Sequence, residues 1–304
     1  MKMIFAGSPQ FAVPVLQALY DAGAQIIAVI TQPDKPTGRK KIPAPTPVKL
    51  LAGSLGIPVY DFEKIRLHAD EVRALGADIM ITCAYGQLLT QEILDCFPRG
   101  VWNTHASLLP ELRGASPIQS AVAEGKEYTG ITVMKTELSL DSGGILLVKR
   151  CLVGEKTYGE LEQALSLLAA EAATEAVALL EKGDAQLLIQ DEAKATYCKK
   201  ITKADGKINF ENSAERICRL VRAMNPEPVA YCMRGGVALN ILRAQPCDGA
   251  GAAGEVLSAD KRGITVACGG GALLITELVP SGGKRMRASD YVNGRKIKTG
   301  DKLD

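Results

Sequence analysis

The hydrophobic positions fall into two regimes along the chain. In the first, short apolar runs alternate with amphipathic stretches. Met3–Ala6 is an apolar run closed by Gly7, and Ser8-Pro9 then supplies an N-cap and a proline at a helix start. Phe11, Val15, Leu16 and Leu19 recur at helical spacing as far as Gly23. Ile26–Ile30 predicts a strand, Val48–Leu55 a helix stopped by Gly56, and Ile57–Tyr60 a further strand. Strands are also predicted at Ile79–Cys83, Val101–His105, Ile131–Met134 and Ile145–Val148, and a long helix over Tyr158–Leu180. Alternating strands and helices predict an α/β unit with a Rossmann-like, mostly parallel sheet and helices on both faces.

The second regime follows a polar, lysine-rich stretch, Gln190–Lys207, which reads as a linker. A helix over Ala214–Met224 is stopped by Asn225-Pro226. Short strands then crowd together at Val229–Met233, Val237–Ala244, Gly254–Leu257, Ile264–Ala267 and Ala272–Leu278, with turns at Gly235-Gly236 and Gly269-Gly270-Gly271. That spacing predicts a small β-barrel of the oligonucleotide-binding (OB-like) type. The expected organisation is residues 1–189, a linker at 190–208, and residues 209–304.

Composition agrees with two globular units. The chain has 304 residues, 47 % apolar and 23 % charged. The apolar start of MKMIFAGSPQF is broken by Gly7, Ser8 and Pro9, too early for a signal-peptide core, and no later run approaches a membrane span. A cytoplasmic protein without a membrane contact is expected. Eight scattered cysteines with no C-x-x-C pair, and only His68 and His105, give no metal-ligand pattern, so no metal is expected. The cysteines read as small buried hydrophobes in a reducing compartment. Net charge is +2, but from residue 209 onward there are 14 Lys and Arg against 10 Asp and Glu. A second basic cluster, Lys35, Arg39, Lys40 and Lys41, lies in Thr31–Lys49. Prolines at 33, 36, 43, 45 and 47 should keep that segment out of strand and helix interiors.

A dinucleotide site is excluded. After the first strand the sequence is Gly7-Ser8-Pro9-Gln10-Phe11-Ala12, without the second and third glycines that admit a pyrophosphate. Candidate chemistry lies further on. In Val101–His105, Asn103 and His105 share one strand face, an amide donor beside an imidazole. Such a pair suits stabilising an oxyanion and moving a proton. The turn-rich loop from Ser107 to Gly114 follows, and Asp141 stands in a later loop, Asp141-Ser142-Gly143-Gly144. Taken singly, each has a purely structural explanation. The Asn-His pair can be a satisfied core network, and the aspartate a turn residue.

The run Asn103-x-His105-x-Ser107-Leu108-Leu109-Pro110-x-x-Arg113-Gly114, with Pro117-Ile118-Gln119 and Asp141-x-Gly143, resembles the signature of the 10-formyltetrahydrofolate-dependent formyltransferases. FAGSPQFAVPVL, TQPDKPTGRKK, AYGQLL and NPEP extend the resemblance over essentially the whole chain, toward members whose acceptor is methionyl-tRNA. It departs at Glu111-Leu112, where a basic and an aromatic residue often stand. The resemblance implies that Asn103, His105 and Asp141 are catalytic. It implies that Ser107, Leu108, Leu109 and Pro110, with Tyr85, Gly86, Gln87 and Leu88, contact the folate. It also assigns Lys35, Arg39, Lys40 and Lys41 to tRNA, with Arg39 foremost.

The implied co-substrate is 10-formyltetrahydrofolate and the implied partner is initiator methionyl-tRNA, bound by a monomer. An amine attacks the formyl carbon, Asn103 and His105 donate to the oxyanion, and Asp141 orients His105 and takes the amine proton. Little base strength is needed, because a free α-amino group has a pKa of about 7.7–8.0. Amino-sugar nucleotides are the alternative acceptors within the family. A nucleic-acid-binding module on an inactive scaffold is the alternative outside it.

Overall fold

The computed structural model describes residues 1–37, 42–294 and 296–304. They form two compact units. The first comprises Met1–Pro117, Tyr128–Leu152 and Glu162–Cys198; the second comprises Ile118–Glu127, Val153–Leu161 and Lys199–Asp304. The stretch expected as a linker therefore divides at 198/199.

The first unit is built on a seven-stranded sheet. Its strands are β1 (Lys2–Gly7), β2 (Gln25–Ile30), β3 (Val59–Tyr60), β4 (Ile79–Cys83), β5 (Val101–His105), β6 (Tyr128–Lys135) and β7 (Ile145–Leu152), in the order β7-β6-β5-β4-β1-β2-β3. The five strands β3-β2-β1-β4-β5 are mutually parallel. β6 runs antiparallel to β5, and β7 antiparallel to β6. The β6–β7 connection is too short for the crossover that parallel strands require. Both faces of β1 are covered: Ile4 and Ala6 on one, Met3 and Phe5 on the other, are each at most 1 % exposed. That explains its unbroken apolar run.

Helix α1 (Val13–Asp21) and helix α2 (Pro47–Ser54) follow the predicted periodicity, and Thr46 caps α2 by accepting the Lys49 N–H at 3.1 Å. Thr31–Lys49 departs from expectation. Lys35–Thr37 and Ile42–Ala44 form an antiparallel pair in which Pro36 stands opposite Pro43. Proline is tolerated in such a ladder where its nitrogen faces away from the partner strand. Lys49, at the end of this segment, is tied to Asp34 at 2.9 Å and Asp61 at 2.7 Å. Asp34, then Asp61, hold its ammonium above the usual lysine range.

Helix α3 (Tyr158–Lys182) is, by length and composition, apolar enough to cross a membrane, contrary to expectation. Half of that apolar window is buried, with Leu165, Ala169, Ala172 and Ala176 fully so, as in a core helix. All eight cysteines are free thiols. Cys83 is buried, and burial pushes its thiol up to about 12.

The second unit holds helix α4 (Ala214–Ala223) and a six-stranded antiparallel sheet. Its strands are β8 (Ala230–Arg234), β9 (Val237–Cys247), β10 (Val256–Asp260), β11 (Gly263–Ala267), β12 (Ala272–Pro280) and β13 (Met286–Arg287). The order is β8-β9-β12-β11-β10, with β13 on β12. Residues 300–304 bridge its two outer strands. Met233 on β8 exchanges backbone bonds with Asp304, while Leu303 donates to Gly254 and Val256 donates to Asp301 beside β10. Leu303 is 1 % exposed, and Arg234 clasps Asp301 at 2.9 Å. The NPEP segment also has a packing role in this unit: Gly159 N–H donates to the Asn225 carbonyl at 3.0 Å, and Gln119 Nε2 to the Glu227 carbonyl at 3.1 Å.

Candidate active site

The carboxyl ends of β1, β4 and β5 lie side by side, where parallel sheets place their ligands. Register pairs Thr82 with Asn103. The Thr82 hydroxyl donates to Asn103 Oδ1 at 2.9 Å. With its oxygen accepting from Thr82, the half-buried Asn103 amide keeps its NH2 group for donation elsewhere.

His105 is 6 % exposed, two residues on and on the same face. Its Nε2 lies 3.0 Å from the Leu112 carbonyl, which can only accept, so Nε2 carries a hydrogen. Nδ1 faces Asp141 Oδ2 at 3.6 Å, an ion-pair separation rather than a hydrogen bond. The bond that orients the ring is thus made by Leu112, not by Asp141 as the sequence led us to expect. Leu112 and Asp141 both adopt left-handed backbone, with φ of 58° and 49°. Such conformations cost about 1 kcal/mol or more in non-glycine residues and persist only where surroundings enforce them.

The surroundings of Asp141 do so. Its Oδ2 accepts the Gly114 N–H at 2.8 Å. Gly114 has φ +116°, and a Cβ there would lie 2.3 Å from the Cys198 carbonyl oxygen. Gly143, two residues after Asp141, passes so close to Lys135 that a Cβ would sit 1.8 Å from its carbonyl oxygen. Gln190 Nε2 donates to the Asp141 and Gly143 carbonyls, both at 2.8 Å. Arg113, 1 % exposed, reaches Gln190 Oε1 and forms a two-pronged pair with Glu192 at 2.7 and 2.9 Å. Glu192 first holds the Arg113 guanidinium above its usual range, and Arg113 in turn holds the Glu192 carboxyl below the usual carboxylate range.

The folate candidates are distributed unevenly. Ser107 is buried, donating from Oγ to the Glu111 carbonyl at 2.6 Å. Thr132 pins the loop, donating to the Ser107 carbonyl at 2.7 Å and accepting from the Leu109 N–H at 3.2 Å. Leu109 clusters with Met134 and Ile145, so part of the loop's apolar character serves the protein's own core. Leu108 and Pro110 are half-buried. The Tyr85 ring is in the core with its hydroxyl unpartnered, and burial raises its pKa. Gln87 spends both ends of its amide on the Phe62 carbonyl and the Ile65 N–H. Gly86 and Leu88 are exposed. Among the tRNA candidates, Lys35 is exposed and donates to Gln32 Oε1, while Arg39, Lys40 and Lys41 lie outside the described residues.

Thr82, Gly114, Gln190 and Glu192 were not foreseen as contributors. Thr82 could have been found from the adjacency of two parallel strand ends. Gln190 and Glu192 carried no signal, because they stand in a polar stretch without periodicity.

Residues 1–177 match the family described as formyl transferase, and residues 200–296 match the formyl transferase C-terminal domain. Methionyl-tRNA formyltransferase of Stutzerimonas stutzeri (strain A1501) is 44 % identical over 299 residues, covering 97 % of this chain and 95 % of the relative. That of Coxiella burnetii (strain CbuK_Q154) is 41 % identical over 308 residues, covering 100 % and 97 %. Among solved structures, the N-formyltransferase from Helicobacter canadensis in complex with folinic acid and dTDP-3-aminofucose superposes with a TM-score of 0.70. At 15 % identity over 90 % of this chain and 98 % of that one, it shares the fold.

Proposed function

The chain belongs to the formyl transferase family, and from that premise we propose that it transfers the formyl group of 10-formyltetrahydrofolate to the α-amino group of initiator methionyl-tRNA in the cytoplasm. The observation that carries the acceptor is the near-full-length likeness to methionyl-tRNA formyltransferases at 41–44 % identity. Sugar N-formyltransferases are matched among solved structures at 15–20 % identity, a likeness of fold alone.

The neutral amine attacks the formyl carbon attached to N10, and charge collects on the formyl oxygen; as that intermediate collapses the bond from the formyl carbon to N10 breaks, and N10 takes up a proton as tetrahydrofolate leaves. The NH2 of Asn103 donates to the formyl oxygen. Nδ1 of His105, which faces Asp141 Oδ2 at 3.6 Å without a hydrogen bond, donates to the oxyanion when the ring is an imidazolium and accepts a proton when it is neutral. Asp141, its Oδ2 committed to Gly114, keeps Oδ1 for the proton leaving the amine. Losing one oxyanion donor of this kind typically costs about 10²–10³ in rate. Ser107–Pro110 and the exposed Gly86 and Leu88 form the folate contacts. Residues 1–189 carry the chemistry, while 209–304 and the basic cluster at Lys35, Arg39, Lys40 and Lys41 hold the tRNA.

The test is incubation with 10-formyltetrahydrofolate and either methionyl-tRNA or amino-sugar nucleotides, with mass analysis of products. N-formylmethionyl-tRNA is the expected product; formylation of the sugars alone would overturn the assignment. Arg39→Ala should cut tRNA formylation severely without changing folate affinity, and Arg39→Lys should restore only part, since lysine lacks the planar fork. Normal tRNA formylation by Arg39→Ala returns that loop to an ordinary solvated surface.

A further inference from the structure

Gln190 uses its whole hydrogen-bonding capacity on the framework of the site. A primary amide has two donors and two acceptor lone pairs. Here the two donors go to the carbonyls of Asp141 and Gly143, at 2.8 Å each. The acceptor takes Nε and Nη2 of Arg113, at 3.1 and 2.8 Å. Gln190 is 6 % exposed and Arg113 1 %. A flipped amide would set N–H groups against the guanidinium and oxygen against two carbonyls, so only one orientation is tenable. Glu192 supplies the counter-charge that a buried guanidinium needs. Arg113 thereby holds Gln190 while its neighbour Gly114 holds the Asp141 carboxylate.

We propose that Gln190 is a positioning residue for the reaction: it clamps the strained backbone of Asp141 so that the carboxylate stays beside His105. With no donor or acceptor left for a ligand, it acts only through Asp141. The proposal rests on the assignment of Asp141 as the group that receives the amine proton.

Gln190→Glu is the informative variant. It matches the side chain in size and keeps oxygen toward Arg113, so the ion-paired framework survives. It removes both donors and opposes the two carbonyls with lone pairs, which releases the Asp141 loop. A misplacement near 1 Å is worth about 10²-fold in rate. We expect kcat to fall by about that factor, with KM for folate and for methionyl-tRNA unchanged. Gln190→Met, which loses both sets of bonds, serves as a second variant, with circular dichroism reporting on folding.

The decisive measurement is a cycle with Asp141→Ala. In that background Gln190→Glu should cost nothing further, because the residue through which it acts is gone. Wild-type kcat for folded Gln190→Glu and Gln190→Met would refute the clamp. So would an equal loss in both backgrounds, which marks a general structural role. Wild-type turnover by Asp141→Ala alone would remove the premise, a failure visible in that single variant without reference to Gln190.

Discussion

Thr82→Val tests whether the Asn103 amide is held with its NH2 toward the substrate. Thr82 is 6 % exposed, and its hydroxyl is the donor to Asn103 Oδ1 at 2.9 Å. Valine fills nearly the same volume, and the half-buried Asn103 oxygen retains access to water, so the stability change should be small. The catalytic effect follows from the value of the lost restraint. One net hydrogen bond of this kind is worth about 0.5–1.5 kcal/mol, or about 2- to 10-fold in the population of the competent orientation. Asn103→Ala removes the donor altogether and should cost about 10²–10³. Single-turnover formylation at saturating 10-formyltetrahydrofolate reads the chemical step for both variants. An unchanged rate for Thr82→Val means the amide is oriented by something else. A loss as deep as that of Asn103→Ala means Thr82 itself touches the reacting atoms. Either result refutes the reasoning.

Two further outcomes are open to measurement. Arg113 holds the Glu192 carboxyl below its usual range, so the pair's stabilisation is fully present above the unfolded-state pKa of about 4.3 and is lost as pH falls through the lower folded value. Acid-denaturation curves of wild type and Glu192→Gln should therefore be separated at neutral pH and converge in strong acid; curves separated equally at every pH would contradict this. Leu303→Ala should destabilise the second unit by about 2–5 kcal/mol, the range for truncating a fully buried leucine, in urea unfolding followed by circular dichroism. An unchanged midpoint would show that the bridging segment contributes nothing.

The parallel core of the first sheet was legible because burial on both faces leaves unbroken apolar runs, as in Met3–Ala6 and Ile79–Cys83. Strand direction was not legible, since Ile131–Met134 reads the same whichever way it pairs; only the pairing of β7 with β6 follows from their short connection. The prolines of Thr31–Lys49 misled in the same way. Sequence shows that a proline lacks a donor, but not whether its nitrogen faces a partner strand, and the pairing of Pro36 with Pro43 depends on that. In the site, Asn103 and His105 could be placed together from period-two alternation alone. Arg113 entered only as part of a motif, and its partners Gln190 and Glu192 lie 77 and 79 residues away. No local pattern records a contact across that distance. The boundary at 198/199 was hidden for the same reason: Tyr197 and Cys198 pair with Arg113 and Gly114.

The position of β7 at the margin of the seven-stranded sheet has a colloidal consequence. An outermost strand can template the addition of a strand from another molecule. β7 carries exposed apolar groups, with Val148 44 % and Leu152 50 % accessible. Between them stand two cations that already have partners. Lys149 is tied to Glu175 at 2.8 Å, and Arg150 lies over the Tyr128 ring, 5.4 Å from its centroid. A second chain docking along this margin would have to strip water and partners from both charges, while Leu188 already occupies the backbone of Ile145. The strand that frames the Asp141 loop at one end thus has its first residue already paired and two partnered charges standing along the rest of its margin.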